Sequence, residues 1–340
     1  MLIHGSPFLT PGLFLKKKGS ALFEWIEQHG VRSYSLFGYG RIALLEGLKL
    51  LDCGQGDNVL LPSYICDVTA EPFHELGMEP RFYKVLTSLQ PDIADVKTRI
   101  DRKTKAILVV NYFGFPQRLD EIQSICKENG IALIEDNAHG FISRKNSHLL
   151  GTFGDIGFSS IWKVLPVPNG AVLFINNEQL INKFRSLSQS GEFPNELRQK
   201  SPLKYVLSSL LSYLEARYRF PSQYVRNVYY RFASTAERDV TQDYQRAKVR
   251  ISRLSLKVLQ KLNPEEVVGR RRQNYQFWLD KLRGKHGVTV IFEDLPGGIC
   301  PWVFPIVADD VDSFKEKLLG RGIHVDHWPW LPREVDGNKE

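Results

Sequence analysis

Two short apolar runs, ILVV at 107–110 and IALI at 131–134, are bounded by polar or turn residues and separated by the helix-length amphipathic segment LDEIQSICKENG. Runs of that length without polar alternation suit strands buried on both faces of a parallel sheet, where helices cover either side and no face meets water. The pattern extends both ways: NVLLPSY, stopped by Pro62, then RFYKV, the helix PDIADVKTRI, KAILVVNY and IALIEDNA. GDIGFSSIWK and GAVLFINN follow as two strand-like pieces close enough to pair as neighbours. An α/β domain with a mostly parallel sheet flanked by helices is expected.

Upstream, SALFEWIEQH reads as a short amphipathic helix with Ser20 as cap, and IALLEGLKLL as a second helix ending in the DCGQGD loop. Beyond about Leu180 the character changes. SPLKYVLSSLLSYLEARYRF places Leu203, Val206, Leu207, Leu210, Leu211 and Leu214 at helical spacing, flanked by Lys204, Arg217 and Arg219. A helix packed on the core or at a dimer interface is favoured over one lying on a membrane surface. The last third, from PEEVVGRRRQNYQFWLDKL through GVTVIFE, CPWVFPIVA, a DDVDSFKEKLLGRG helix and IHVDHWPW, reads as a smaller α+β domain. The expected division is a large domain over 1–235 and a small one over 236–340, with a hinge around Thr235 to Arg250.

Composition narrows the classes. Apolar residues at 43% and charged residues at 24% are ordinary for a globular chain. No apolar run is long enough to span a bilayer, and the N-terminus lacks the pattern of a signal peptide, so a cytoplasmic protein is expected. Cys53, Cys66, Cys126 and Cys300 are scattered, which predicts reduced thiols, no structural disulfide and no metal site. The net charge of +7 favours anionic ligands, but the basic residues form no nucleic-acid-binding module.

LFGYGRIALLEG, residues 36–47, is a glycine turn opening a helix, a general cradle for phosphate. As a dinucleotide fingerprint it needs an acidic residue at the end of the next strand, and that strand ends in Leu61, Pro62 and Ser63. IALIEDNAHG delivers Asp136 at a strand end with His139 three residues on; Asp136 is either a ligand-side carboxylate or a cap of the next turn. In GTFGDIGFSSIWKVLPVPNGAVLF, Lys163 lies between an apolar run and a Pro-rich turn, where a desolvated lysine could react with a carbonyl, and Ser159 and Ser160 offer hydroxyls to an anion. A phosphate cup, a strand-end acid and a later lysine behind a serine, in that chain order, form the set that pyridoxal 5′-phosphate (PLP) requires.

On these stretches the chain resembles the DegT/StrS type of PLP-dependent sugar aminotransferases, which have the aspartate aminotransferase fold (fold type I). The resemblance runs from about Leu36 to Asn177 and from about Arg270 to Pro329, through GYGRIAL, GDNVLLPSY, PDIADVKTRIDRKTKAILVVNYFG, IEDNAHG and GTFGDIGFSSIWK. It implies that Lys163 bonds the cofactor's aldehyde, Asp136 partners the pyridine nitrogen and His139 lies near the ring oxygen. Gly40 and Arg41 fall at the phosphate, and Ser159 resembles the phosphate-binding serine. Arg41 replaces a small hydroxyl residue and either pairs with the phosphate or points away. Cys66 replaces a stacking aromatic, leaving Tyr64 or another residue for that face. The FSSIWK segment is one residue shorter than usual, the family's subunit-crossing Asn motif is not recognisable between Leu180 and Arg250, and the small domain is expected to be abbreviated or truncated after HWPW. The implied activity is transamination from glutamate to a nucleotide-linked keto-sugar by a homodimer. A non-catalytic or regulatory paralogue of the same fold is the alternative, and a nicotinamide dehydrogenase ranks below both. The Arg270 to Arg272 run reads as a solvated helix face sooner than a diphosphate clamp, and His327 as packing sooner than chemistry.

Overall fold

The computed structural model describes residues 7–15, 21–193, 201–218, 248–321, 323 and 325–336. Its strands are β1 (Tyr34–Phe37), β2 (Asn58–Pro62), β3 (Glu79–Tyr83), β4 (Thr104–Val110), β5 (Ala132–Asp136), β6 (Arg144–Lys145), β7 (His148–Leu149), β8 (Ile156–Ser160), β9 (Ala171–Ile175), β10 (Val288–Val290) and β11 (Ile306–Ala308). Seven of them form one sheet in the order β1-β9-β8-β5-β4-β2-β3. The run from β3 to β8 is parallel, while β9 is antiparallel to both of its neighbours. β8 and β9 are neighbours, as their closeness in sequence implied.

The apolar runs are buried on both sides. Ala106, Leu108 and Val110 of β4 enter one cluster with Ile42, Leu44 and Leu48 of the Gly40–Leu50 helix. Ile107 and Val109 enter another with Leu119, Ile122 and Ile125 of the Leu119–Asn129 helix. Alternate residues of one strand therefore serve two cores, which is why no polar alternation survives in the sequence. A further cluster joins Leu22 and Ile26 of the Ala21–Gln28 helix to Ile161, Val164 and Phe174, and to Val258, Leu259 and Val268 of the later helices Arg253–Leu259 and Pro264–Leu282.

The Leu203–Tyr218 helix forms, but with four of the six residues of its apolar row outward and Leu211 and Leu214 half-buried. Leu203, Val206, Leu207 and Leu210 are exposed, whereas Ser209 and Ser212 are buried and Tyr205 packs on the core. Packing of those four residues on this chain's own core is thus not what holds the helix. Tyr205 offers a larger surface than any of those leucines, and burying it turns the serine face inward. The expected hinge lies mostly, and the 235/236 boundary wholly, outside the described residues, as do Ser20 and Arg219.

The C-terminal part has its own two-stranded sheet, β10 with β11, and the Val311–Leu319 helix. Yet Tyr275 and Ile299 belong to the main cluster of the seven-stranded sheet. No helix among the described residues is long and apolar enough to cross a membrane.

Candidate active site

The parallel strands all point their C-terminal ends one way, where open α/β sheets collect functional groups. β5 ends in Asp136, β2 is followed by Tyr64 and Cys66, β4 by Tyr112 and Phe113, and β8 by the short Ile161–Val164 helix that carries Lys163. These elements bring Asp136, His139 and Cys66 within electrostatic reach of Lys163.

Asp136 is buried, and its Oδ1 accepts the Ala138 N–H at 2.8 Å. Burial pushes its carboxyl up to about 6, against the opposing pull of that hydrogen bond and of Lys163. Lys163 is partly accessible, but desolvation still lowers its ammonium below the ordinary lysine value, with Asp136 and Cys66 pulling the other way. Its Nζ stands 4.9 Å from the centre of the Trp302 ring. Cys66 has its thiol pushed up to about 11, chiefly by burial.

His139 is buried and held neutral by desolvation, reinforced by the charge of Lys163. Its Nδ1 accepts the Phe113 N–H at 3.2 Å, which leaves the imidazole proton on Nε2. Phe113 reaches that position with φ of 55°, a left-handed conformation that costs a bulky residue about 1 kcal/mol. Trp302 stacks on His139 with centroids 4.3 Å apart, and Trp328 meets it edge-on at 4.9 Å. Tyr64 closes the wall: its hydroxyl donates to Trp328 O at 2.7 Å and its own carbonyl accepts the Tyr112 hydroxyl at 2.5 Å.

The glycine turn is a cradle in the steric sense. A Cβ on Gly40 would lie 2.8 Å from the Ser160 Oγ, so the missing side chain is what lets the first turn of the Gly40–Leu50 helix approach that hydroxyl as it stands. The first N–H groups of a helix have no intrahelical partner and point at whatever faces the N-terminus.

The structure places Ser159 differently and shows where the Arg41 side chain goes. The Ser159 hydroxyl donates to Asn137 O at 2.9 Å inside the sheet, and Ser160 is the serine that faces Gly40. Side chains alternate along a strand, so only one of two adjacent serines can face that turn, and here it is Ser160. Arg41 directs its guanidinium to Glu71, with Nη1 2.8 Å from Oε2.

Sequence reading passed over Glu135, a fully buried carboxylate. Its Oε1 accepts the N–H groups of Phe153 and Gly154 at 2.5 and 2.8 Å, and its Oε2 accepts Gly151 N–H at 3.0 Å and the Asn111 amide at 3.2 Å. That one side chain fixes the turn entering β8, and so the strand leading to Lys163; its only signal was an acid inside an apolar strand. His327 is exposed, and Trp328 is the residue of that loop that enters the site. Arg270 is exposed as expected, but Arg271 and Arg272 turn inward onto backbone carbonyls.

A seven-stranded, mostly parallel sheet with one antiparallel strand, carrying a desolvated lysine and a buried strand-end aspartate beside a glycine helix turn, defines a fold type I α/β protein. Residues 27–207 match the model of the DegT/DnrJ/EryC1/StrS aminotransferase family, and the chain belongs to that family. The GDP-perosamine synthase of Vibrio cholerae is 29% identical over 171 residues, which cover 49% of this chain and 47% of that protein. The dTDP-4-dehydro-2,3,6-trideoxy-D-glucose 4-aminotransferase of Saccharopolyspora spinosa is 34% identical over 155 residues, 45% of this chain and 40% of that protein. The chain thus matches about half the length of these curated relatives or less. Among solved structures, the aminotransferase TlmJ from Streptoalloteichus hindustanus superposes with a TM-score of 0.68 at 20% identity, over 98% of this chain and 86% of that one. DesV from S. venezuelae gives 0.67 at 17% identity, over 97% and 79%. At these identities the superpositions show the shared fold.

Proposed function

We propose that this chain is a PLP-dependent aminotransferase that moves an amino group from glutamate to a nucleotide-linked keto-sugar. The observation that carries the reading is the meeting of Lys163 and Asp136, both desolvated, at the strand ends beside the Gly40 turn. The donor set fits the cofactor: an amine for an aldehyde, a buried carboxylate for a pyridine nitrogen, and a glycine cradle with a serine hydroxyl for a phosphate.

PLP, when bound, supplies an aldehyde and an electron-withdrawing ring that draws electrons from the carbon bearing the substrate nitrogen. The chain's own groups do the rest. Lys163, its pKa lowered by burial, has more free amine near neutral pH than a solvated lysine, so Nζ can take a proton from the donor's α-carbon and return it. Asp136 would partner the ring nitrogen and keep a proton on it. His139 would donate from Nε2 to the ring oxygen, because its Nδ1 is already occupied. The Gly40 and Arg41 N–H groups and the Ser160 hydroxyl would hold the phosphate, and the Glu71 carboxylate pairs with the Arg41 guanidinium. Trp302 and Trp328 narrow the access of water.

The nucleotide-sugar substrate is supported by the names of the two curated relatives and by the net charge of +7. A homodimer is supported by the exposed row of Leu203, Val206, Leu207 and Leu210, a contiguous apolar surface of the kind partners cover. A cytoplasmic setting is supported by four free cysteines, three of them buried. The test is spectroscopic. Chain incubated with PLP and desalted gains a visible absorption band, and Lys163→Ala loses it; with glutamate and a nucleotide-linked keto-sugar, the wild type forms 2-oxoglutarate. A protein that gains no band supports the non-catalytic paralogue instead.

A further inference from the structure

Arg271 lies in the middle of the Pro264–Leu282 helix, far from Lys163 in sequence, yet its guanidinium reaches both sides of the site. Nη2 donates to the carbonyl of Val164, the residue after Lys163, at 2.7 Å. Nη1 donates to the carbonyls of Trp302 at 2.9 Å and Pro301 at 3.2 Å. The Trp302 N–H is in turn held by Phe113 O at 2.9 Å, so that residue is fixed through both its amide and its carbonyl. Among the described residues no carboxylate pairs with Arg271, whose charge is spent on three backbone oxygens. A buried guanidinium with five donors in a rigid fork is suited to such a span, and a lysine is not.

We propose that Arg271 is a positioning residue for Lys163: it ties the turn that carries the lysine to the backbone of Trp302, so that the indole covers the ammonium. This rests on Lys163 being the reactive amine of the proposed aminotransferase. Without the tie, the 300–302 segment and the lysine turn separate, the ring leaves the ammonium and water enters. The ionisable groups facing Nζ are Asp136 from β5, His139 just after it and Cys66 after β2. None of them is contacted by Arg271, so a change at residue 271 reaches the lysine through the tie. Burial is the leading cause of the lowered lysine value, so solvent entry outweighs the loss of the ring's attraction and raises it.

The measurement is competitive acetylation of the cofactor-free full chain by trace acetic anhydride across pH, with the Lys163 peptide quantified by mass spectrometry. Wild type is compared with Arg271→Lys, Arg271→Met and Trp302→Leu. All three variants are expected to raise the Lys163 midpoint by about half a pH unit or more, about threefold less free amine at a given pH. Arg271→Lys is the sharp case, because it keeps the positive charge and loses only the three-way span. A folded Arg271→Lys with the wild-type midpoint overturns the proposal, as does a folded Trp302→Leu with that midpoint; should the Arg271 variants not fold, Trp302→Leu decides alone. Because this readout needs no cofactor, it stands apart from the absorption test: a wild type that gains no visible band defeats the aminotransferase reading and leaves the midpoints to judge the tie.

Discussion

Asp136 shows what one buried residue does to the pH response of the molecule. Its carboxyl is raised to about 6 by burial, whereas in the unfolded chain it titrates near 4. The folded state therefore binds this proton more tightly than the unfolded state. The resulting stability is fully present below the unfolded value and is lost as pH rises through the folded one, between about pH 4 and 6. Asp136→Asn removes that loss. Urea unfolding of the cofactor-free protein is expected to show wild type losing about 1–3 kcal/mol relative to the variant between pH 4 and 7.5. Parallel stability curves would mean that Asp136 is ordinarily solvated. The same residue scale explains Ser159 and Ser160: both are hydroxyls, and only the facing of the strand decides which one meets the glycine turn.

At the scale of elements, β8 is the strand that delivers Lys163, and its geometry rests on a close backbone approach. A Cβ on Gly157 would lie 2.2 Å from Gly151 O and 2.7 Å from Gly151 Cα. Both are backbone atoms of the turn that Glu135 holds, and neither can swing aside. Gly157→Ala is expected to destabilise the protein by about 3 kcal/mol. A denaturation midpoint equal to wild type would show that this turn is free to move. Sequence patterns gave the strand and its neighbours well, because two-sided burial leaves a short apolar run bounded by polar or turn residues. They did not give the facing of the Leu203–Tyr218 helix, where a row of leucines loses to one tyrosine and the competition is settled by the available surface.

At the scale of the whole molecule, the question is how the later third is joined to the sheet. Gly38 N–H donates to Val249 O and Gly170 N–H to Gly38 O, both at 2.8 Å, so the returning chain is laced to the start of the site. Asn169, buried, donates to Arg250 O at 3.1 Å and accepts the Ser252 N–H at 3.0 Å, while Ser255 donates to its carbonyl at 2.5 Å. Asn169→Ala leaves the Ser252 N–H without that acceptor and is expected to cost about 2 kcal/mol. Hydrogen exchange at 249–255 should accelerate together with it; unchanged protection there would place the joint elsewhere.

By itself the sequence determined the alternation of strand and helix, the glycine turn that opens the Gly40–Leu50 helix, and the pair Asp136 and Lys163 in their chain order. Each of these is local: a run buried on two faces, a glycine turn before a helix, a polar group at a strand end. The tertiary structure alone decided which serine faces Gly40, that Arg41 pairs with Glu71, and that Trp302, Trp328 and Arg271 close the site from the far end of the chain. Those contacts join segments that share no spacing, and they exist only because the returning helices pack on the sheet and bring distant backbone into hydrogen-bond range.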